Sequence, residues 1–88
     1  MMEVKNLYNE LLKNGIPDWY YSINCDVSDS FCIFQNTDIN TVIWEVYYSE
    51  RGNRYNVFRT ENENEACVEF LNRVNTSFKK YISQGGKL

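Results

Sequence analysis

The spacing of apolar residues changes twice along this chain, from a helical repeat to a strand-like repeat and back. From residue 2 to residue 14, apolar side chains recur every three or four positions, which is typical of a helix with one apolar face. Between Trp19 and Thr60, aromatic and β-branched residues dominate and are interrupted by Asn, Asp and Ser, which predicts strands joined by turns. We place four strands, at about 19–24, 31–36, 42–49 and 54–60. A longer helical repeat covers about 61–82.

Local signals mark where the two helices end and begin. Gly15 suits the position just after a helix, and Pro17 prevents the first helix from continuing. The run Thr60-Glu61-Asn62-Glu63 has the pattern of a capping box, with Thr60 as the N-cap and Glu63 at the N3 position. We therefore predict that the second helix begins directly after Thr60.

The last two strands form the clearest hairpin. Their link contains Gly52-Asn53, which suits a type II′ turn because Gly tolerates a positive φ at the first central position. Side chains alternate between the two faces of a strand, so the hairpin divides into two sets. One face carries Trp44, Val46, Tyr48, Tyr55 and Val57, and the other carries Glu45, Tyr47, Ser49, Asn56 and Phe58. The first set is more uniformly apolar, and we expect it to face the core.

The predicted order of elements is α-β-β-β-β-α. Short links between successive strands favour a four-stranded antiparallel meander. Two helices with one apolar stripe each can cover one face of that sheet, which makes a two-layer α+β domain with the other face free. A dimer partner or the first helix could also occupy the second face, so the sequence leaves open which face the helices cover. A chain of 88 residues supports one modest core, and we assign residues 1–88 to a single domain.

Two features of the sequence bear on location and on bound groups. No basic segment followed by an apolar segment opens the chain, and the longest clearly apolar runs, such as Val42–Trp44, are far too short to cross a bilayer. We therefore expect a cytoplasmic protein without a membrane partner. The three cysteines are Cys25, Cys32 and Cys67, and the chain has no CxxC and no histidine. This pattern favours reduced, packed thiols and predicts no disulfide framework, no metal site and no cofactor.

The same residues argue against catalysis and against nucleic-acid binding. Without histidine the chain cannot build a Ser-His or Cys-His pair, and no P-loop, GxGxxG or HExxH motif is present, so we predict no catalytic residues. A net charge of −3 has the wrong sign for a phosphate-binding surface. Arg51, Arg54 and Arg59 gather near the last hairpin, where solvated charges explain them better than a nucleic-acid platform.

Acidic residues are concentrated in the middle of the chain. Between Asn14 and Glu50 there are six acidic residues and no Lys or Arg. Loops and an outward strand face that carry such charge can attract a basic protein, and Tyr47 would add contact area beside them. The alternative explanation is that a soluble protein is often mildly acidic. The candidate partner-binding residues are Asp26, Asp29, Asp38, Glu45, Tyr47 and Glu50.

Several runs also carry a family resemblance. They are Trp44–Asn53, Phe58, Glu65–Cys67, Phe70-Leu71, Gly15–Pro17 and Tyr20–Ile23. Together they resemble the small immunity proteins of bacterial polymorphic-toxin and contact-dependent inhibition systems, without indicating one family among them. The resemblance implies a cytoplasmic, non-enzymatic protein that binds a cognate toxin domain, often a nuclease, and occludes its active site. An adaptor or homodimeric interaction domain with no toxin partner is the alternative interpretation.

Overall fold

A computed structural model describes residues 2–38 and 40–86 and shows an α+β domain with two helices and a four-stranded open sheet. In chain order, the elements are helix α1, a short 3₁₀ helix, strands β1 to β4 and helix α2. Their bounds are Val4–Lys13, Asp18–Tyr20, Tyr21–Ile23, Ser30–Asp38, Thr41–Glu50, Asn53–Thr60 and Glu63–Ser83. The sequence therefore predicted two helices on either side of four strands, but the predicted order lacked the 3₁₀ helix between α1 and β1. Residues 19 and 20, which were assigned to the first strand, belong to that 3₁₀ helix.

Helix α1 depends on helix α2 for its start. No side chain of its own caps it, and the backbone N–H of Val4 instead donates to the Glu63 carboxylate at 2.8 Å. The helix ends as predicted, because Gly15 adopts φ +74° and its N–H bonds to the Leu12 carbonyl at 3.0 Å. Leu11 on the inner face is fully buried.

The sheet is mixed, so the predicted antiparallel meander is wrong for its first pair. The strand order is β1-β2-β3-β4, and β1 pairs with β2 in parallel, with Tyr21 opposite Phe31. Parallel neighbours ordinarily need a crossover of a dozen or more residues. Here the residues from Asn24 to Asp29 suffice, because β1 is short and both of these residues take left-handed φ values, of 60° and 63°, that reverse the chain. We call residues 24–29 the crossover loop.

The hairpin between β3 and β4 has a different turn from the one predicted. Glu50 pairs with Asn53, so the two turn residues are Arg51 and Gly52. Both have positive φ, 51° and 81°, which defines a type I′ turn and not a type II′ turn at Gly52-Asn53.

A β-bulge in β4 also changes the predicted facing of this hairpin. Val46 pairs with Phe58 and Tyr48 pairs with Tyr55, so two residues of β4 oppose Tyr47 alone. Asn56 is one of these two residues, and its backbone is left-handed, with φ 54°. Beyond the bulge the alternation is inverted, so that Phe58, and not Val57, packs against the core.

Helix α2 begins two residues later than predicted. Asn62 is the N-cap, and its side chain accepts the N–H of Glu65 at 2.9 Å. The Thr60 hydroxyl serves the turn before the helix, because it accepts the N–H of Asn62 at 3.1 Å and donates to the Glu65 carboxylate at 2.7 Å. The capping chemistry is therefore present but shifted by two positions.

Both helices pack on the same face of the sheet. A single core cluster joins inward residues of the helices to inward residues of β1, β2 and β3, and its members include Leu7, Ile33, Val46, Phe70 and Val74. The Cα atoms extend only 16 Å in the thinnest direction, as expected for two layers. The opposite face, which carries Cys32, Glu45 and Tyr47, has no helix on it, and we call it the open face.

Candidate functional site

The open face is not an exposed contact surface at the positions that the sequence predicted. Glu45 and Tyr47 do lie on it, but Glu45 is 3% exposed and Tyr47 is completely buried. Arg54 and Arg59 of β4 fold over them, and each donates a hydrogen bond to the Glu45 carboxylate, at 3.3 and 2.8 Å. The Arg54 guanidinium also lies 4.5 Å from the centroid of the Tyr47 ring. As folded, neither Glu45 nor Tyr47 is accessible to a partner, because long cationic side chains cover an otherwise bare sheet.

The crossover loop completes this cover. Asp26 in the loop accepts hydrogen bonds from the Ser49 hydroxyl at 3.0 Å and from the Arg54 guanidinium at 3.1 Å. The bond from Ser49 is the largest cause that lowers the pKa of the Asp26 carboxyl; burial opposes it, and the bond and charge of Arg54 and the nearby Tyr47 phenol lower the pKa further. The Val27 carbonyl accepts the hydroxyl hydrogen of Ser30 at 2.8 Å. Asp26 therefore anchors the loop to β3 and β4, and its partly exposed carboxylate is already paired with Arg54.

The Tyr47 hydroxyl lies inside this network without a partner of its own. Among the buried polar side-chain atoms of the described residues, it has no hydrogen-bond partner. Burial is the main cause that raises the pKa of this phenol well above its ordinary value. The Asp26 carboxylate contributes to the shift, although its geometry does not form a hydrogen bond with the hydroxyl.

The remaining three acidic candidates lie at opposite ends of the sheet. Asp29 and Glu50 are close together, because the Asp29 N–H donates to the Ser49 carbonyl at 2.7 Å. Asp29 lines the same cleft as Tyr48, and Glu50 follows Tyr48 by two residues in β3, which places both on one face of the sheet. Burial, followed by the charges of Glu50 and Asp29, raises the pKa of the Tyr48 phenol. Asp38 pairs with Thr41 at the far end of the sheet. The six predicted residues therefore do not form one surface.

An aromatic cleft opens beside Asp29, on the helix-bearing side of the sheet. It has a volume of about 420 Å³, and rings from the 3₁₀ helix and from three strands surround it. These aromatic residues are Trp19, Tyr20, Phe31, Tyr48 and Tyr55. We call this site the aromatic cleft.

The rings of the aromatic cleft hold one another in place. The centroids of Phe31 and Tyr48 are 5.0 Å apart at 64°, and those of Trp19 and Tyr20 are 5.7 Å apart at 73°, both edge-to-face arrangements. The Tyr20 hydroxyl is fixed by a 2.6 Å hydrogen bond with the Ser77 hydroxyl of α2. Trp19 and Tyr55 are 54% and 44% exposed, so they form the mouth of the cleft.

A second cleft of about 670 Å³ continues from the first along α2 and contains positive charge. Arg73 and Lys80 line it. The Arg73 guanidinium is already occupied, because it pairs with Glu69 at 2.6 Å and donates to the Asn56 and Val46 carbonyls across the β-bulge. Lys80 is exposed. We call this region the basic extension of the aromatic cleft.

Reasoning from the sequence did not find the aromatic cleft. The parallel position of β1 places the 3₁₀ helix beside Phe31, with the Tyr20 and Phe31 ring centroids 6.2 Å apart, and this position was not predicted. Alternation had already placed Tyr48 and Tyr55 on one face, and these two residues pair in the sheet. The available signal was the pair Trp19-Tyr20, which follows Pro17 after one intervening residue, since large aromatic residues at the start of an element are costly to expose.

The remaining groups with chemical potential are the three cysteines and the side chains of types that can bind a metal ion. Cys32 and Cys67 are buried thiols, as predicted, whereas Cys25 is exposed in the crossover loop. Burial, followed by the charges of Glu63 and Glu3, raises the pKa of the Cys67 thiol to about 11. Within residues 2–38 and 40–86, no three His, Cys, Asp or Glu side chains cluster in a way that could hold a metal ion.

Two further findings concern membrane spans and similarity to known proteins. Neither helix in the described part of the chain has both the length and the apolar character that a membrane span requires. Comparison with protein-family models, with curated proteins and with solved structures gave no significant match.

Proposed function

We propose that this chain is a non-enzymatic, cytoplasmic immunity protein that binds a cognate toxin domain and blocks its active site. The observation that supports this proposal is the aromatic cleft, which exposes Trp19 and Tyr55 at its mouth and has Asp29 and Glu50 nearby. Exposed aromatic rings supply a large contact area at a small cost in conformational entropy, and nearby carboxylates speed the encounter with a basic protein. The resemblance to small immunity proteins points to the same class of partner.

The mechanism we propose is occlusion. A toxin domain that acts on a phosphate-containing substrate presents a basic active site, and a compact acidic surface can cover that site without any chemistry. Asp29 and Glu50 are suited to this role because both project from the end of the sheet that carries the aromatic cleft. Glu45, Tyr47 and Asp26 support the surface from within and make no direct contact in this proposal.

The test is a calorimetric titration, with association rates measured by stopped-flow mixing, against the C-terminal domain of the protein that the neighbouring gene encodes. We expect the double variant Asp29→Asn with Glu50→Gln to bind about tenfold more weakly at low salt, mainly through slower association, and to show a smaller dependence on salt. Asp38→Asn is a useful comparison, because it removes a like charge at the opposite end of the sheet. It should bind nearly as the parent chain does.

The same titration separates the alternatives. If the parent chain does not bind the neighbouring toxin domain, the immunity proposal is wrong. If it binds but the double variant and Asp38→Asn behave alike, the interface lies away from the aromatic cleft. Self-association of the parent chain that Tyr55→Ala abolishes would instead support a homodimeric interaction domain.

A further inference from the structure

The aromatic cleft has the composition of a site for a cation. Five aromatic rings surround it, and Asp29 is the one charged residue among the described side chains that line it. Aromatic rings present negative faces, and a cation within about 6 Å of a ring centroid is attracted to them. A carboxylate at the edge of such a group of rings adds a direct partner for the bound charge.

The charge of Asp29 is not already neutralised inside the protein. The described residues include ion pairs for Asp26, Glu45 and Glu69, but none for Asp29, whose side chain is exposed. Glu50 adds a second negative charge on the same sheet face as Tyr48, because it follows that residue by two positions in β3. An incoming cation would therefore find both π-faces and carboxylates that no internal cation occupies.

The basic extension determines where the cation can bind. Lys80 lines that region and repels a second positive charge, whereas the charge of Arg73 in the same region is already paired with Glu69. A cationic side chain is therefore directed to the end of the cleft that contains Asp29, Trp19 and Tyr55. The neighbouring Lys80 is free to contact a carboxylate of the same partner.

A guanidinium group fits this end of the cleft better than an ammonium group. It is planar and weakly hydrated, so it stacks on aromatic rings, and it can donate two parallel hydrogen bonds to one carboxylate. A cleft of about 420 Å³ also has room for the three methylene groups of an arginine and for part of its backbone.

We propose that the aromatic cleft accepts an arginine side chain of the protein partner, with its guanidinium stacked between the exposed rings and paired with Asp29. This inference rests on the proposed function for the source of the arginine, and it names the contact that anchors the toxin domain. Occupation of the cleft by that arginine would remove the residue from the toxin's own active site or hold it beside that site.

The experiment uses the intact chain labelled with ¹⁵N and a capped single amino acid as the probe. N-acetyl-arginine-methylamide is titrated while the two indole N–H signals are followed, because Trp19 lies at the mouth of the cleft and Trp44 is buried in the core. N-acetyl-citrulline-methylamide is the matched probe, since it keeps the shape of arginine and lacks the charge. We expect a saturable shift of the Trp19 signal with the arginine probe, no shift of Trp44, and about tenfold weaker binding of the citrulline probe.

Two variants test the assignment of Asp29. Asp29→Asn should weaken binding of the arginine probe at least about fivefold, whereas Lys80→Gln should leave it unchanged or slightly stronger. No saturable shift at Trp19, equal binding of the two probes, or equal binding by Asp29→Asn would each overturn the inference. If the arginine probe binds but the toxin domain does not, the cleft assignment stands and the proposed function fails. If the toxin domain binds equally well to the parent and to Asp29→Asn, the proposed function stands and the arginine contact is wrong.

Discussion

At the scale of single residues, the unusual feature is a buried phenol on a sheet face that no helix covers. The ring of Tyr47 lies under the Arg54 guanidinium, while its hydroxyl has no hydrogen-bond partner among the described residues. A buried hydroxyl that has lost its water without gaining a partner destabilises the folded state. The ring of Tyr47 therefore stabilises the folded state, whereas its hydroxyl group destabilises it.

We expect Tyr47→Phe to raise the free energy of unfolding by up to about 1 kcal/mol, because the substitution removes the unpartnered hydroxyl and keeps the ring. Urea denaturation at neutral pH measures the change, with Tyr55→Phe at an exposed position as the control that should change little. A loss of more than about 1 kcal/mol for Tyr47→Phe would show that the hydroxyl has a partner after all.

Thiol reactivity should distinguish the three cysteines. Cys25 is exposed and should react rapidly with a disulfide reagent at pH 8, whereas Cys67 should not, because at a pKa of about 11 only on the order of 0.1% of it is thiolate. We expect one fast thiol in the folded protein and three after denaturation in guanidinium. The variant Cys25→Ser should have none that reacts fast. Rapid modification of a second thiol in the folded protein would contradict the burial of Cys32 and Cys67.

At the scale of elements, the crossover loop covers part of the open face of the sheet, as a third layer of secondary structure does in larger proteins. It joins β1 to β2 in parallel and also lies over the open face, where Asp26 connects it to Ser49 of β3 and to Arg54 of β4. One short segment thus fixes the topology of the sheet and shields its polar side chains. The Asp29 N–H also donates to the Ser49 carbonyl, and the Ser28 hydroxyl accepts the N–H of Arg51 at 3.1 Å, so Asp26 is the charged part of a wider attachment.

This attachment should make stability depend on pH in acid. The folded-state pKa of Asp26 is lowered from its ordinary 3.8, so its contribution is present in full above that value and is lost as the pH falls through the lower folded-state value. Because the side chain is partly exposed, we expect the contribution to be under about 1 kcal/mol. In urea unfolding at neutral pH, Asp26→Asn should be less stable than the parent by this amount. The difference should shrink below about pH 3.8.

Asp29→Asn is the control for this comparison, since it removes an equal charge from the same loop and keeps the backbone bond from the Asp29 N–H to the Ser49 carbonyl. Among the described contacts, the Asp29 side chain bonds to neither Ser49 nor Arg54. Its difference from the parent should be smaller at neutral pH. If Asp26→Asn were instead as stable as the parent at every pH, the loop would be held by its backbone contacts alone.

The elements also show which parts of the fold can be predicted from the sequence. Periodicity identified both helices and all four strands because each depends on a repeated local pattern. The turn type, the β-bulge and the parallel pair were not predicted, and the reason is the same for all three. Each depends on non-glycine residues that adopt a left-handed φ. Asn24, Asp29, Arg51 and Asn56 all do so. Asn and Asp tolerate that conformation but do not require it, so the sequence cannot reveal where it is used.

The same reasoning explains what was missed at the site. Alternation correctly placed Glu45 and Tyr47 on the face away from the helices. It could not predict their burial, because that burial comes from Arg54 and Arg59 on the neighbouring strand and from the crossover loop. The aromatic cleft needed the 3₁₀ helix beside Phe31, which depends on the parallel pairing of β1 and therefore could not be predicted from alternation alone.

At the scale of the whole molecule, stability depends on one core between the sheet and the two helices. Phe70 of α2 is fully buried in it, and the ring of Tyr21 in β1 lies edge-on to Phe70 at 6.2 Å. Trp44 of β3 joins the same cluster. A domain of this size has no second core to compensate for damage to the first.

We expect Phe70→Ala to lower the free energy of unfolding by about 3–5 kcal/mol, the usual cost of truncating a buried aromatic residue. Trp44→Ala should have an effect of the same order. Thermal and urea denaturation measure both, and Val68→Ala on the exposed side of α2 should cost under about 0.5 kcal/mol. If Phe70→Ala were as mild as Val68→Ala, the core would not lie between α2 and the sheet.

The crossover loop has a further consequence for the order in which the chain folds. Strands β2, β3 and β4 follow one another through short links and can pair as soon as these close, whereas β1 can join only an existing β2 edge. The folding nucleus should therefore contain β3 and its two neighbours, and β1 should dock after the rate-limiting step. Hydrogen exchange can test this order, because a strand that docks late can also open locally while the rest of the sheet stays folded. The amides of Tyr21–Ile23 should exchange through such local opening, and the amides of β3 only when the whole domain unfolds.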